Sequence, residues 1–170
     1  MNIRWLGAIL IVAGCGGFGF AKAAAHITEE RCLRQLLRAL DYMECELQYR
    51  KSALPNLLRC TAAMSAGVVR DVLLCMCREM EDQVSPDAAA CVEAAVGKVR
   101  NLPPKTKGCI LEFGRSAGYF DLNGQIEGLE VVRAGCRREL DVLSKDRDVR
   151  LRSFETLGLC AGAALAILLI

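Results

Sequence analysis

Residues 29–47 read EERCLRQLLRALDYMECEL, and the reading of this stretch decides the fold. Its apolar residues fall at Leu33, Leu36, Leu37, Leu40, Met43 and Leu47. That i, i+3, i+4, i+7 spacing makes one stripe on an α-helix and fits no strand, whose side chains alternate with period two. Arg31, Arg34, Arg38, Asp41 and Glu44 take the other faces. The spacing predicts a helix from about Glu29 to Arg50.

The same period recurs downstream. Pro55 suits the first turn of a short helix reaching Met64, because its missing N–H has no partner there in any case. Ser65-Ala66-Gly67 closes that helix. A third helix is predicted over 68–83, with Val69, Val72, Leu73, Met76 and Met80 as its apolar stripe. Ser85-Pro86-Asp87 reads as a start signal, with serine as N-cap and proline at the first helical position. The fourth helix should run from there to about Arg100. Leu102-Pro103-Pro104 breaks the chain, and a fifth helix is predicted from Lys105 to Ser116. Gly114 to Gly124 is loop-like. A long last helix then starts at Leu122 or Asn123 and carries Ile126, Leu129, Val132, Cys136, Leu140 and Leu143 at helical spacing. No strand-period run of useful length occurs, so the domain is all-α.

Charge divides the chain. The 22 Lys and Arg nearly balance the 20 Asp and Glu, for a net charge of +2, which argues against binding to a nucleic-acid backbone. Every acidic residue lies between Glu29 and Glu155, leaving WLGAILIVAGCGGFGFA (5–21) and TLGLCAGAALAILLI (156–170) without charge. A spanning helix needs roughly 20 apolar residues, and the abundant Gly and Ala allow close helix approach in lipid. The expected division is an N-terminal transmembrane segment over 1–25, a cytoplasmic all-helical domain over 26–153 and a C-terminal transmembrane segment over 154–170. Lys22, Arg31 and Arg34 come after the first span, and Arg147, Arg150 and Arg152 precede the second, which places the domain inside. The last helix is expected to continue through Arg152 into the membrane as one rod roughly 70 Å long. The first span is likewise expected to continue through Ala23 to Ala25 into the helix that begins near Glu29. Two processing motifs compete at the N-terminus. Ala21-Lys22-Ala23 is similar to a signal-peptide cleavage site. Val12-Ala13-Gly14-Cys15 is similar to a bacterial lipobox, in which Cys15 would be acylated.

The chain has 10 Cys and 1 His. Zinc and iron–sulfur sites use paired ligands such as C-x₂-C, and none occurs here. Cys75 and Cys77 are separated by one residue, which turns their thiols about 200° apart on a helix. The cysteines read as small apolar side chains. GCGGFG (14–19) lacks the lysine of a phosphate loop, and His26 stands at the expected membrane boundary, away from any nucleophile. Catalytic, cofactor and metal sites are therefore not expected. The alternative is a cysteine-based redox or metal-binding membrane protein.

Five stretches in order, LGAILIVAGCGGFGF (6–20), RQLLRALDYMECELQY (34–49), ALPNLL (53–58), LEFGRSAGYFDLNGQIEGLE (111–130) and LGLCAGAALAILLI (157–170), resemble the stage III sporulation protein AB family. The most specific part is Gly114, Gly118, Asp121, Gly124 and Gln125, followed by Arg34 and Gln35 with Glu44. The resemblance implies a domain similar to the helical domain of type II secretion F proteins. It implies a platform in the apparatus that links mother cell and forespore, sited in the mother-cell membrane around the forespore. The implied partners are a stage III sporulation protein AA-type ATPase, other channel components and the bilayer, with room for homo-oligomers. Arg34, Gln35, Glu44, Gly114, Gly118, Asp121, Gly124 and Gln125 are the interaction candidates. For the loop glycines the expected role is a tight turn, for Asp121 a cap on the last helix. A structural corner is the plainer reading of that segment, as a solvated face is of Arg34, Arg38, Asp41 and Glu44.

Overall fold

The computed structural model describes residues 3–50, 53–82, 87–117 and 123–145, with side chains from residue 24 onward. The described residues form six helices and no strand. They are α1 (Ile3–Arg50), α2 (Leu54–Met64), α3 (Gly67–Glu81), α4 (Ala88–Lys98), α5 (Pro104–Ser116) and α6 (residues 123–145). The expected all-α bundle is what forms. Among the described residues no helix is long and apolar enough to cross a membrane. The expected first span belongs to the first half of α1, but the side chains of 5–21 lie outside the described residues, as do the whole of 154–170 and the continuation of α6 beyond 145.

The first stripe sets the core. Leu33, Leu36, Leu40, Met43 and Leu47 are all buried on one side of α1. They meet Leu57 and Leu58 of α2, Val69, Val72, Leu73 and Met76 of α3, Ile110 and Phe113 of α5, and Leu129, Val132 and Cys136 of α6 in a single cluster. Helix α2 packs on α3, α3 on α4 and α4 on α5, and α1 contacts α2, α3 and α5. The helix α1 has 48 residues and no break, so it extends about 72 Å at roughly 1.5 Å per residue.

Helix boundaries reflect local chemistry. Pro55 sits in the first turn of α2, and Pro104 opens α5. Between α2 and α3 the chain reverses at Gly67, whose φ of +56° suits glycine. Ser85 is not the cap of α4. Asp87 is extended at the N-cap and its carboxylate accepts the Ala89 N–H at 3.2 Å, so the helix starts at Ala88.

The start of α5 has no side-chain cap of its own. Glu29 of α1 supplies it from a distance, its Oε1 accepting the Lys105 N–H at 2.6 Å while 8% exposed. A carboxylate there satisfies one of the orphan N–H groups and opposes the helix dipole. Replacing Glu29 by alanine should lower stability by about 0.5–2 kcal/mol in denaturant titration, and by glutamine less, since the amide oxygen still accepts.

Two glycines set how closely helices approach. A Cβ at Gly114 would lie 2.8 Å from Val92 Cβ on α4, and one at Gly128 would lie 2.7 Å from Ser116 Cβ on α5. Gly108, six residues before Gly114 on the same helix, faces open space. The two positions should therefore respond to alanine with opposite signs. Gly108→Ala should stabilise by about 0.5–1 kcal/mol through backbone entropy, whereas Gly114→Ala should destabilise by about 1–3 kcal/mol through overpacking. Urea midpoints of the two variants check this.

Candidate interaction surface

The eight candidates do not converge on one patch. Arg34 is exposed on α1 and pairs with Glu30 at 2.8 Å, one turn back. Such i, i+4 pairs support a helix by a few tenths of a kcal/mol and leave the guanidinium available to solvent. Gln35 beside it is half-buried.

Glu44 is not part of a solvated face. It is ion-paired with Arg133 of α6, with side-chain exposures of 18% and 23%. Arg133 also reaches Asp41 at 3.4 Å. The acids that the sequence suggests as outward docking groups therefore hold α6 against α1. A carboxylate half-removed from water needs such a partner. Arg133 escapes sequence reasoning because its partners are about ninety positions away. Glu29 did leave a signal: it lies four residues before Leu33, on the apolar stripe itself, where an acid calls for a buried donor.

Of the segment expected as a loop from Gly114 to Gln125, residues 114–116 are helical in α5 and 123–125 in α6. Gly114 lies inside α5 and is buried against Val92, so close packing rather than a turn requires glycine there. Gly118 and Asp121 lie outside the described residues, and with them the proposed cap. Gly124 and Gln125 stand in the first turn of α6, both half-buried and both engaged in contacts. Gln125 borders a small apolar recess with Leu47, Leu54, Phe113 and Leu129, where the ends of α1, α2, α5 and α6 meet. Gly128, one turn on, brings α6 down onto Ser116. The geometry of this corner is structural at Gly114 and Gly128 and leaves Gln125 at its rim.

Further ion pairs tie neighbouring helices together. Glu79, almost wholly buried on α3, accepts from Lys98 Nζ of α4 at 2.6 Å. That hydrogen bond holds the Lys98 ammonium above its ordinary pKa. Lys105 of α5 pairs with Glu139 of α6 at 3.0 Å. Among the described residues no three His, Cys, Asp or Glu side chains converge as metal ligands.

The architecture is that of a helical bundle assembled on one long helix, with ion pairs that join α1 to α6, α3 to α4 and α5 to α6. The chain belongs to the stage III sporulation protein AB family, whose sequence profile matches residues 4–170. A solved structure described as stage III sporulation protein AB (SpoIIIAB) has the same fold, with a TM-score of 0.63 at 19% identity over 72% of this chain and 98% of that one. Curated protein sequences yield no match. Membership gives the chain a role in the stage III sporulation complex, in a family of structural components not known as enzymes.

The Arg133 clamp can be separated from the exposed Arg34 pair by mutation. Arg133→Ala should cost about 1–3 kcal/mol, because it leaves the half-buried Glu44 carboxylate unpaired. Arg34→Ala should change stability by no more than roughly 0.5 kcal/mol. Denaturant titration of the two variants, with a double-mutant cycle on Arg133 and Glu44, measures both.

Proposed function

We propose that the chain is a membrane-anchored platform of the sporulation channel that couples a cytoplasmic stage III sporulation protein AA-type ATPase to membrane parts of the apparatus. In this reading 1–25 and 154–170 are the two spans, and 26–153 is the cytoplasmic domain at the mother-cell membrane around the forespore. The observation that supports it best is the continuity of α1. One helix runs without a break from Ile3, at the edge of the charge-poor N-terminal segment, to Arg50, whose preceding turns are the spine of the bundle. A rod of this kind transmits a push or a rotation between its ends, which a jointed linker would absorb.

The charge pattern adds to this reading. Basic residues gather where the domain would leave the bilayer, on the side that favours retention in the cytoplasm. Arg34 with Gln35 on α1, and Gln125 at the corner of α6, are the surface groups assigned to partner contact, since Glu44 and Gly114 are engaged inside the bundle.

Breaking the rod tests coupling without unpacking the core. Ala24 and Ala25 are exposed and precede Glu29, the first buried residue among the described side chains. Inserting Gly-Gly between them should leave the melting of the full chain in detergent nearly unchanged and still allow co-purification with the ATPase. Spore yield should fall to that of the deletion strain. Normal spore yield with the insertion would remove the transmission role, and failure of the intact chain to bind the ATPase would remove the partner.

A further inference from the structure

Two contacts of α5 fix which end of the bundle lies nearest the charge-free N-terminal segment. The Lys105 N–H, in the first turn of α5, meets Glu29 of α1 at 2.6 Å, while Phe113 and Ser116 near the other end of α5 border the same recess as Leu47. Helix α5 therefore runs alongside α1 in the same direction. The turn before it, residues 99–103, stands at the end of the bundle that faces residues 5–21. Helix α6 comes back to that end, since Leu129 borders the Leu47 recess and Glu139 pairs with Lys105. Asn101 makes the turn with a φ of +65°, a conformation that asparagine adopts more readily than most residues.

Charge at this turn has one sign. From Ala94 to Leu111 the chain carries Lys98, Arg100, Lys105 and Lys107 and no acid. Lys98 and Lys105 are ion-paired with Glu79 and Glu139. Arg100 and Lys107 are exposed, and neither has an acidic partner among the described residues. The carboxylates that reach this corner are already engaged, Glu29 by the Lys105 N–H and Glu139 by the Lys105 ammonium. Helix α6 adds exposed Asp141 and Lys145, one group of each sign. Ile27 of α1, two residues closer to the charge-free segment than Glu29, is 51% exposed, so an apolar group shares this end with the cations.

We propose that Arg100 and Lys107 bind the phosphates of anionic phospholipids and give the bundle a second hold on the bilayer beside the α1 span. The inference rests on the platform reading, in which residues 1–25 cross the membrane. Glu29 lies about 12 Å beyond Ala21, the end of the charge-free run, at roughly 1.5 Å per residue of unbroken helix. A bilayer about 40–45 Å thick has a hydrocarbon core of about 30 Å, which leaves a headgroup layer roughly 6 Å deep on each side. The remaining gap of roughly 6 Å is within the Debye length of about 8 Å at physiological salt. The long stems of arginine and lysine close it further. Each cation at such a surface favours an anionic membrane by roughly fivefold, and a guanidinium can grip a phosphate through two parallel N–H donors. A single span is a pivot, whereas a lipid contact on one side of it decides which way the bundle leans.

The test reconstitutes the full chain in phosphatidylcholine nanodiscs that hold a trace of phospholipid with a photoactivatable diazirine on its headgroup. One sample carries an anionic headgroup, N-acylated phosphatidylethanolamine, and the other a zwitterionic one. After illumination and digestion, lipid adducts are mapped by mass spectrometry. Adducts on residues 99–108 should be at least fivefold more abundant with the anionic lipid. This comparison is read on the unaltered chain and needs no variant to fold. Replacing Arg100 and Lys107 together by glutamine should bring 99–108 down to the zwitterionic level and leave adducts on 22–31 unchanged. Inorganic phosphate in the buffer should not compete. Adducts on 22–31 with none on 99–108 would overturn the proposal and leave the platform reading standing, whereas their absence from both segments would remove the two together. Equal labelling of 99–108 by the two lipids, or labelling that survives the double substitution, would reduce the turn to a neighbour of the membrane that does not recognise anions. Loss of adducts to inorganic phosphate would make it a site for the free ion and overturn the lipid assignment.

Discussion

The hydrogen bond from the Lys105 N–H to the Glu29 carboxylate is the contact on which the arrangement of the bundle depends. The stripe on α1 is a run of similar residues at helical spacing, Leu33, Leu36, Leu40, Met43 and Leu47. Apolar burial along such a stripe is nearly the same if the helix slides by one turn, because hydrophobic contact has no direction. A buried carboxylate that must meet one backbone N–H removes the ambiguity. This is the use of buried polar groups that is best attested, the setting of register. Arg133 with Glu44 and Asp41 pins the same helix about ten to fifteen residues further along, against α6. Two polar contacts at different heights hold a helix that Leu-on-Leu packing alone would leave free to shift.

The remaining polar contacts serve the shorter elements. Lys98 reaches back to Glu79, and Lys105 reaches across to Glu139, so that α3–α4 and α5–α6 are each joined by an ion pair. Aromatic residues make up 5% of the chain, and Phe113 is the aromatic of the described core. With few large rings, the interior is filled by aliphatic side chains, Met43, Met76 and thiols. Close helix approach at Gly114 and Gly128 compensates for the missing bulk.

Local features were legible in the sequence. The stripes on α1, α3 and α6, the prolines that open α2 and α5, and the break at 102–104 all act within a turn or two of where they stand. The buried set follows the stripes closely, with Leu37, Met80, Ile126 and Leu140 only partly covered. What failed depends on distance. Gly114 looks like a turn residue because glycine is the commonest turn former, and only the position of Val92 on another helix reveals that it makes room for packing. Glu44 looks exposed because its own helix gives it no partner, and Arg133 is far along the chain. Asp87 takes the place expected of Ser85 as the cap, because its carboxylate is the one that reaches the Ala89 N–H. Five of the eight described cysteines are buried as that reading expects, while Cys60 and Cys75 are half-buried and Cys45 is exposed.

The unbroken course of α1 has one more consequence, for how its length can vary. Each residue added to a helix displaces the rest of the chain by about 1.5 Å along the axis and turns it by roughly 100°. Between Ile3 and Glu29 no hinge absorbs that turn, so a single insertion would swing the whole bundle by more than a quarter circle about the helix axis. Only insertions of roughly seven, eleven or eighteen residues return the bundle to within about 20° of its original azimuth. The helix therefore acts as a ruler and a compass together, and relatives that differ in the length of this arm should differ by those steps.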